Sequence, residues 1–176
     1  MNTIKELINL KVDETKISNK IKKFNNIFSE DQRKQIIEDS KPLLKTMDVR
    51  NNTEWVGKQT AANLFSLPQF FYVHHWMTIY LKKYIDSRIT ISKSWVLWVD
   101  GRKEHTNWHT HNADYSLVYY LQTTAGLNSG TCFKHGFEKV DQNGMIVFPS
   151  NMLHSSPSYD GHHDRYVMGM DMIIKH

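Results

Sequence analysis

His109 and His111 stand two residues apart in WHTHNAD, His154 follows some forty residues later in FPSNMLHSSP, and Arg165 lies about ten beyond that. In an extended chain, residues i and i+2 point to the same side, so the first two imidazoles can reach one cation. A second strand end carrying His154 would complete a face of three nitrogens. Three ligands on one face of an octahedron leave the other positions open to a chelating small molecule and dioxygen. Imidazole serves iron, zinc, copper and nickel alike, so these residues do not choose the metal. Arg165 adds a planar, permanently charged fork that matches a carboxylate. The chemistry in view is a reaction at a metal held together with an acidic small molecule.

Asp114 competes for a place in that ligand set. It follows His111 by three positions, off register for a regular strand, although a bulge through Asn112 and Ala113 would bring it round. The residues alone leave open both the set His109, His111 and His154 and a triad that includes Asp114. Eight of the ten histidines fall from His105 onward, which points to a site in the C-terminal half. Structural roles are expected for His105, His135, His162 and His163 in loop-like segments, and for His74 and His75 on a helix.

The bulk composition excludes several classes. The net charge is +4 with 23% charged residues, and the lysines of IKELINLKVDETKISNKIKKF alternate with acids. That is a solvated helical face rather than a nucleic-acid stripe. No apolar run reaches the length of about eighteen residues that a membrane helix needs, and MNTIKELINLK lacks the apolar core of a signal peptide. The lone Cys132 excludes an internal disulfide and suits a reducing, cytoplasmic setting. It reads as a buried strand residue, since no helix N-terminus stands nearby to activate it as a nucleophile.

The elements that must position these groups change character along the chain. Residues 4 to 46 carry helical signals, with Ser29 opening a capping box before EDQRKQIIED and Pro42 breaking the helix. Ser66-Leu67-Pro68 starts a second helix through QFFYVHHWMTIYLKKYIDSR, whose Phe70, Val73, Met77, Tyr80 and Leu81 share a face that packs on a sheet. From about residue 93 the period becomes two: SWVLWVD, DYSLVYYLQT, GTCFKH, MIVFP after a DQNG turn, and RYVMGMDMII all read as strands. In the last, Tyr166, Met168, Met170, Met172 and Ile174 form an apolar face. Arg165, Val167, Gly169 and Asp171 form a face suited to lining a polar cavity. The fold class is therefore mostly β with N-terminal helices, one domain over 1–176. Residues 1–90 are mainly helical support and 91–176 an antiparallel sandwich or barrel.

The runs SWVLWVDGRKEHTNWHTHNADYSLVYYLQ, SGTCF and GMIVFPSNMLHSSPSYDGHHDRYVMGMDM resemble the 2-oxoglutarate- and Fe(II)-dependent oxygenases of bacteria and marine phages. The resemblance covers about half the chain, from Lys93 to the end. It implies a double-stranded β-helix, or jelly roll, with helices outside one sheet. It implies Fe(II), 2-oxoglutarate and O2 as the reacting partners, in an oxidative decarboxylation coupled to hydroxylation. On this resemblance His109, His111 and His154 match the iron ligands, and Arg165 matches the residue that binds the distal carboxylate of 2-oxoglutarate. Tyr119, taken as inward-facing, would add its hydroxyl there, and Trp98, Trp108 and Tyr115 would line the substrate mouth. The wider superfamily carries His-x-Asp where this chain has His-Thr-His. A dianionic co-substrate would then have to neutralise the metal's charge, which would couple metal retention to co-substrate binding.

Two other readings fit the same residues. A cupin-like metalloenzyme working without 2-oxoglutarate also uses His-x-His and a distant histidine, and a non-catalytic jelly-roll module would keep them as relics. The substrate, a small molecule or a peptide, is not written in the sequence. Oligomeric state is not written there either, a homodimer through the helical half being one possible assembly, and neither membrane nor nucleic acid is expected as partner.

Overall fold

Strand pairing explains most of the chain's architecture. The computed structural model describes residues 13–16, 21–46, 57–85, 88–99, 107–123, 129–157 and 164–175. In chain order the elements are β1 (Asp13–Lys16), β2 (Lys22–Asn25), helix α1 (Glu30–Ser40), β3 (Lys45–Thr46) and β4 (Lys58–Gln59). Helix α2 (Phe71–Lys82), β5 (Ile89–Val99), β6 (Tyr115–Gln122), β7 (Gly130–Phe133) and β8 (Gly136–Lys139) follow. The chain ends with β9 (Met145–Pro149), β10 (His154–Ser155) and β11 (Arg165–Ile174). One sheet has the order β1-β2-β9-β6-β11-β5-β4-β3 and a second the order β10-β7-β8, with every described pair antiparallel. No described helix is long and apolar enough to cross a membrane.

The central strands of the large sheet, β9, β6, β11 and β5, are buried on both sides over most of their length. Toward the helices, Met168, Met170 and Met172 of β11 join Leu117, Tyr119 and Leu121 of β6 and Val96 of β5. Phe70, Val73, Met77 and Leu81 of the α2 region and Ile36 and Ile37 of α1 close that layer. Each such side chain contributes about 1.5–3 kcal/mol of transfer free energy when fully buried. Between the sheets a smaller apolar cluster holds Leu97, Val99, Tyr120, Ile146, Phe148 and Val167, with Phe133 reaching in from the small sheet.

Helix α1 begins as the sequence predicts. The Ser29 hydroxyl accepts from the Gln32 N–H at 3.3 Å, and Gln32 accepts from the Ser29 N–H at 2.9 Å. The helix ends at Ser40, and Pro42 sits in the single 3₁₀ turn that follows. Pro68 likewise opens a 3₁₀ turn just ahead of α2. Upstream, the helical expectation over 4 to 46 is corrected: 13–16 and 22–25 are strands. Lys22, Lys23 and Phe24 pair with Val147, Ile146 and Met145 of β9, and Ile21 and Phe24 are buried. The pairing of β2 with β1 on one side and with the core strand β9 on the other overrides a charge pattern that also suits a helix.

Candidate metal centre

The segment carrying His109 and His111 is stapled to the one carrying His154. The His109 N–H donates to the His154 carbonyl at 2.9 Å, and the His154 N–H returns a bond to His109 at 3.0 Å. The His111 N–H donates to the Ser150 carbonyl at 3.0 Å. This antiparallel bridge sets the three rings against one another, with centroids 4.4 Å apart for His109 and His154 and 5.1 Å for each other pair. One nitrogen of each ring lies within 4.8 Å of those of the other two. Three imidazole nitrogens gathered in this way are a donor set of the kind that a single metal ion takes.

Each ring has one nitrogen already engaged. Nδ1 of His109 bonds the Asn107 carbonyl at 2.6 Å, and Nδ1 of His154 bonds the Met152 carbonyl at 2.9 Å. Nδ1 of His111 meets the Asp171 carboxylate, 2.9 Å from Oδ1 and 3.1 Å from Oδ2. Bonds of this kind place the proton on Nδ1 and leave the Nε2 lone pair for a cation. Burial lowers the pKa of His109 and brings that of His154 down to about 4, only partly opposed by the carbonyls on Nδ1. Both rings are therefore neutral near pH 7, the state in which imidazole binds metal. Three converging imidazoles, each with Nδ1 already bonded, fit a divalent first-row metal.

The surrounding side chains come from the inter-sheet face of β5, β6 and β11. Trp95 stacks on His111 with ring centroids 5.5 Å apart and planes within 10°. Gly169 makes that possible, because a Cβ there would stand 2.5 Å from the Trp95 indole. Ser116 Oγ donates to Asp171 Oδ1 at 3.0 Å and shares a bond with Ser150 Oγ at 2.8 Å. Farther along β11, the buried Arg165 lies over the Tyr120 ring at 5.7 Å. Burial pushes the Tyr120 phenol up to about 12, against the pull of the Arg165 guanidinium and of Thr131, whose Oγ1 is 2.7 Å from the hydroxyl.

No protein-family profile matches the chain, and no curated protein matches it in sequence. Solved structures do match in fold. The viral collagen prolyl hydroxylase of Paramecium bursaria Chlorella virus-1, in its complex with 2OG, is 12% identical, with a TM-score of 0.65 over 88% of this chain and 96% of that one. HygX of Streptomyces hygroscopicus, with nickel, 2-oxoglutarate and hygromycin B bound, is 8% identical at a TM-score of 0.69, over 88% and 83% of the two chains. A Trichoplax adhaerens prolyl hydroxylase, in complex with a hypoxia-inducible-factor peptide fragment, gives 13%, 0.68, 89% and 84%. The chain has the fold of the 2-oxoglutarate-dependent oxygenases.

Within that oxygenase fold the sequence-expected residues separate clearly. His109, His111 and His154 come together. Asp114 does not join them: its Oδ2 accepts the Ile174 N–H at 2.7 Å, and its backbone bonds Met172 and Ser150, so it ties the start of β6 to its neighbours. Tyr119 is also corrected. It faces the helix layer against Phe28 and donates to Asn143 Oδ1 at 2.8 Å, while its neighbour Tyr120 occupies the face it was expected to hold. Trp98 and Tyr115 pack against the helix-side core as well, and Trp108, beside His109, is exposed. His74 is structural, with Nδ1 on the Phe70 carbonyl at 2.8 Å. His135 is exposed and meets Glu138, whereas His105, His162 and His163 lie outside the described residues. Trp95, Ser116, Tyr120 and Asp171 were not singled out as site residues. The signal for Asp171 was its place on the Arg165-Val167-Gly169 face of an otherwise apolar strand.

Proposed function

We propose that this chain is an Fe(II)- and 2-oxoglutarate-dependent dioxygenase that hydroxylates a peptide or small-molecule substrate and works as a single domain. The observation that carries the reading is the convergence of His109, His111 and His154 with every Nδ1 already committed. In this reading those three residues hold the metal. Iron(II) with 2-oxoglutarate and O2 supplies the oxidative decarboxylation to succinate and CO2 that drives substrate hydroxylation.

The chain's own groups bind, orient and exclude. Arg165 receives the distal carboxylate of 2-oxoglutarate through its guanidinium fork, and the Tyr120 hydroxyl is the adjacent donor. The Trp95 indole walls one side of His111 and keeps bulk water from that ring, which strengthens local electrostatics. Support from outside the chain is the oxygenase fold, with 2-oxoglutarate named in two of the similar structures and a peptide or hygromycin B in two.

Anaerobic reconstitution with Fe(II), followed by O2 and 2-oxoglutarate, tests this directly. Slow succinate release without added substrate is expected, together with a melting temperature raised by the metal and 2-oxoglutarate acting as ligands. A thermal shift with metal alone, no response to 2-oxoglutarate and no succinate would favour a cupin-like metalloenzyme. No response to either would leave a non-catalytic jelly roll.

A further inference from the structure

We propose that Asp171 is the positioning residue of the metal centre, supplying from outside the ligand set the negative charge that a His-x-His pair lacks. The inference rests on the metal-binding reading above but concerns a residue which that reading does not use. Asp171 is 2% exposed, and a carboxylate is costly to bury unless it is paired and hydrogen-bonded. Its partners form a closed circuit. Asp171 accepts from His111 Nδ1 and from Ser116 Oγ, Ser116 meets Ser150 Oγ, and the Ser150 carbonyl accepts the His111 N–H. Residues of β11, β6, the turn after β9 and the ligand segment are thus locked to one another through a single ligand ring.

That circuit fixes both the tautomer and the plane of His111, and Trp95 stacks on the same ring from the side. A carboxylate on the far nitrogen of a ligating imidazole also raises its basicity and carries negative charge toward the metal. The charges then close. A dication and the Arg165 guanidinium stand against one buried carboxylate and a dianionic co-substrate, so the site is neutral when filled. The dication is also half-compensated before the co-substrate arrives. Metal binding therefore does not wait for 2-oxoglutarate, which revises the coupling expected from the ligand types alone.

The test is anaerobic titration of the metal-free full chain with Co(II) alone, read by calorimetry and by the visible ligand-field spectrum. Wild type is expected to bind one Co(II) without 2-oxoglutarate. Asp171→Asn should bind about 10–100-fold more weakly with an altered spectrum, and Asp171→Glu should recover part of the loss. In a His111→Asp background the same Asp171→Asn change should no longer weaken binding, since the imidazole through which it acts is gone. Should Asp171→Asn fail to fold, as judged by metal-free circular dichroism, Ser116→Ala removes one of the carboxylate's bonds and should weaken Co(II) binding several-fold. Wild-type affinity and spectrum in Asp171→Asn, or in Ser116→Ala where it is the variant used, overturn the inference and leave the metal centre standing. Equal losses in the two backgrounds also overturn it. No Co(II) binding by wild type removes the metal centre itself, and the inference with it.

Discussion

The two faces of β11 are both buried, yet they were built for different ends. One carries Tyr166, Met168, Met170 and Met172 into the helix-side core, while the other carries Arg165, Val167, Gly169 and Asp171 between the sheets. An apolar face explains itself through transfer free energy. A buried arginine and a buried aspartate do not, because a buried charge is costly unless paired, and Gly169 leaves the room that the Trp95 indole fills. His74 and His154 repeat the contrast. Burial brings both down to about 4, and each bonds a backbone carbonyl through Nδ1. His74 stands in the apolar layer among α2 side chains, whereas His154 meets two more imidazoles. Burial and a low pKa do not distinguish a ligand from a packed residue; convergence does.

That comparison can be broken at either face. On the inter-sheet face, Arg165→Met should weaken 2-oxoglutarate binding by about 2–5 kcal/mol, the usual cost of removing one partner from a buried, hydrogen-bonded charge pair. Unfolding stability should change less than the affinity, since the account assigns the guanidinium chiefly to the co-substrate. Calorimetry with 2-oxoglutarate and a denaturant titration measure the two effects, and a loss of stability with unchanged affinity would reassign Arg165 to structure.

On the helix side the handle is acid. The folded-state pKa of His74 lies near 4, below its ordinary value of 6.5. Between those values the unfolded chain takes up a proton that the folded chain refuses, so stability falls as pH drops from about 6.5 toward 4. The share due to His74 is roughly 3 kcal/mol across that window. His74→Phe should flatten the acid limb by that order in urea titrations at pH 7 and pH 4.5, with little change at pH 7 in Co(II) binding. An unaltered acid limb would mean that His74 is not held neutral by the core.

Much of this contrast was legible in the sequence. The spacing of His109, His111 and His154 anticipated three imidazoles that the structure brings together, and the strict alternation along RYVMGMDMII separated the faces of β11. The Ser29 capping box and Pro42 set the ends of α1. What alternation could not tell was which face of β6 points inward. It groups Tyr115, Leu117, Tyr119 and Leu121, but in a sheet covered on both sides neither face is marked by solvent. For that reason alternation alone does not tell that Tyr119 faces the helices and Tyr120 the space between the sheets. The strand at 22–25 escapes a local reading because its pairing with β9 depends on residues more than a hundred positions away, and the strand at 13–16 is built on it in turn. Asp171 was visible as a polar residue on an inward face, but its bond to His111 spans 60 positions that no local pattern connects.

The most direct test of the central claim is an anaerobic Fe(II) titration of the metal-free chain and four single variants. The account predicts one Fe(II) per wild-type chain, loss of that binding in His109→Ala, His111→Ala and His154→Ala, and its retention in Asp114→Ala. Retention in His111→Ala together with loss in Asp114→Ala would contradict it.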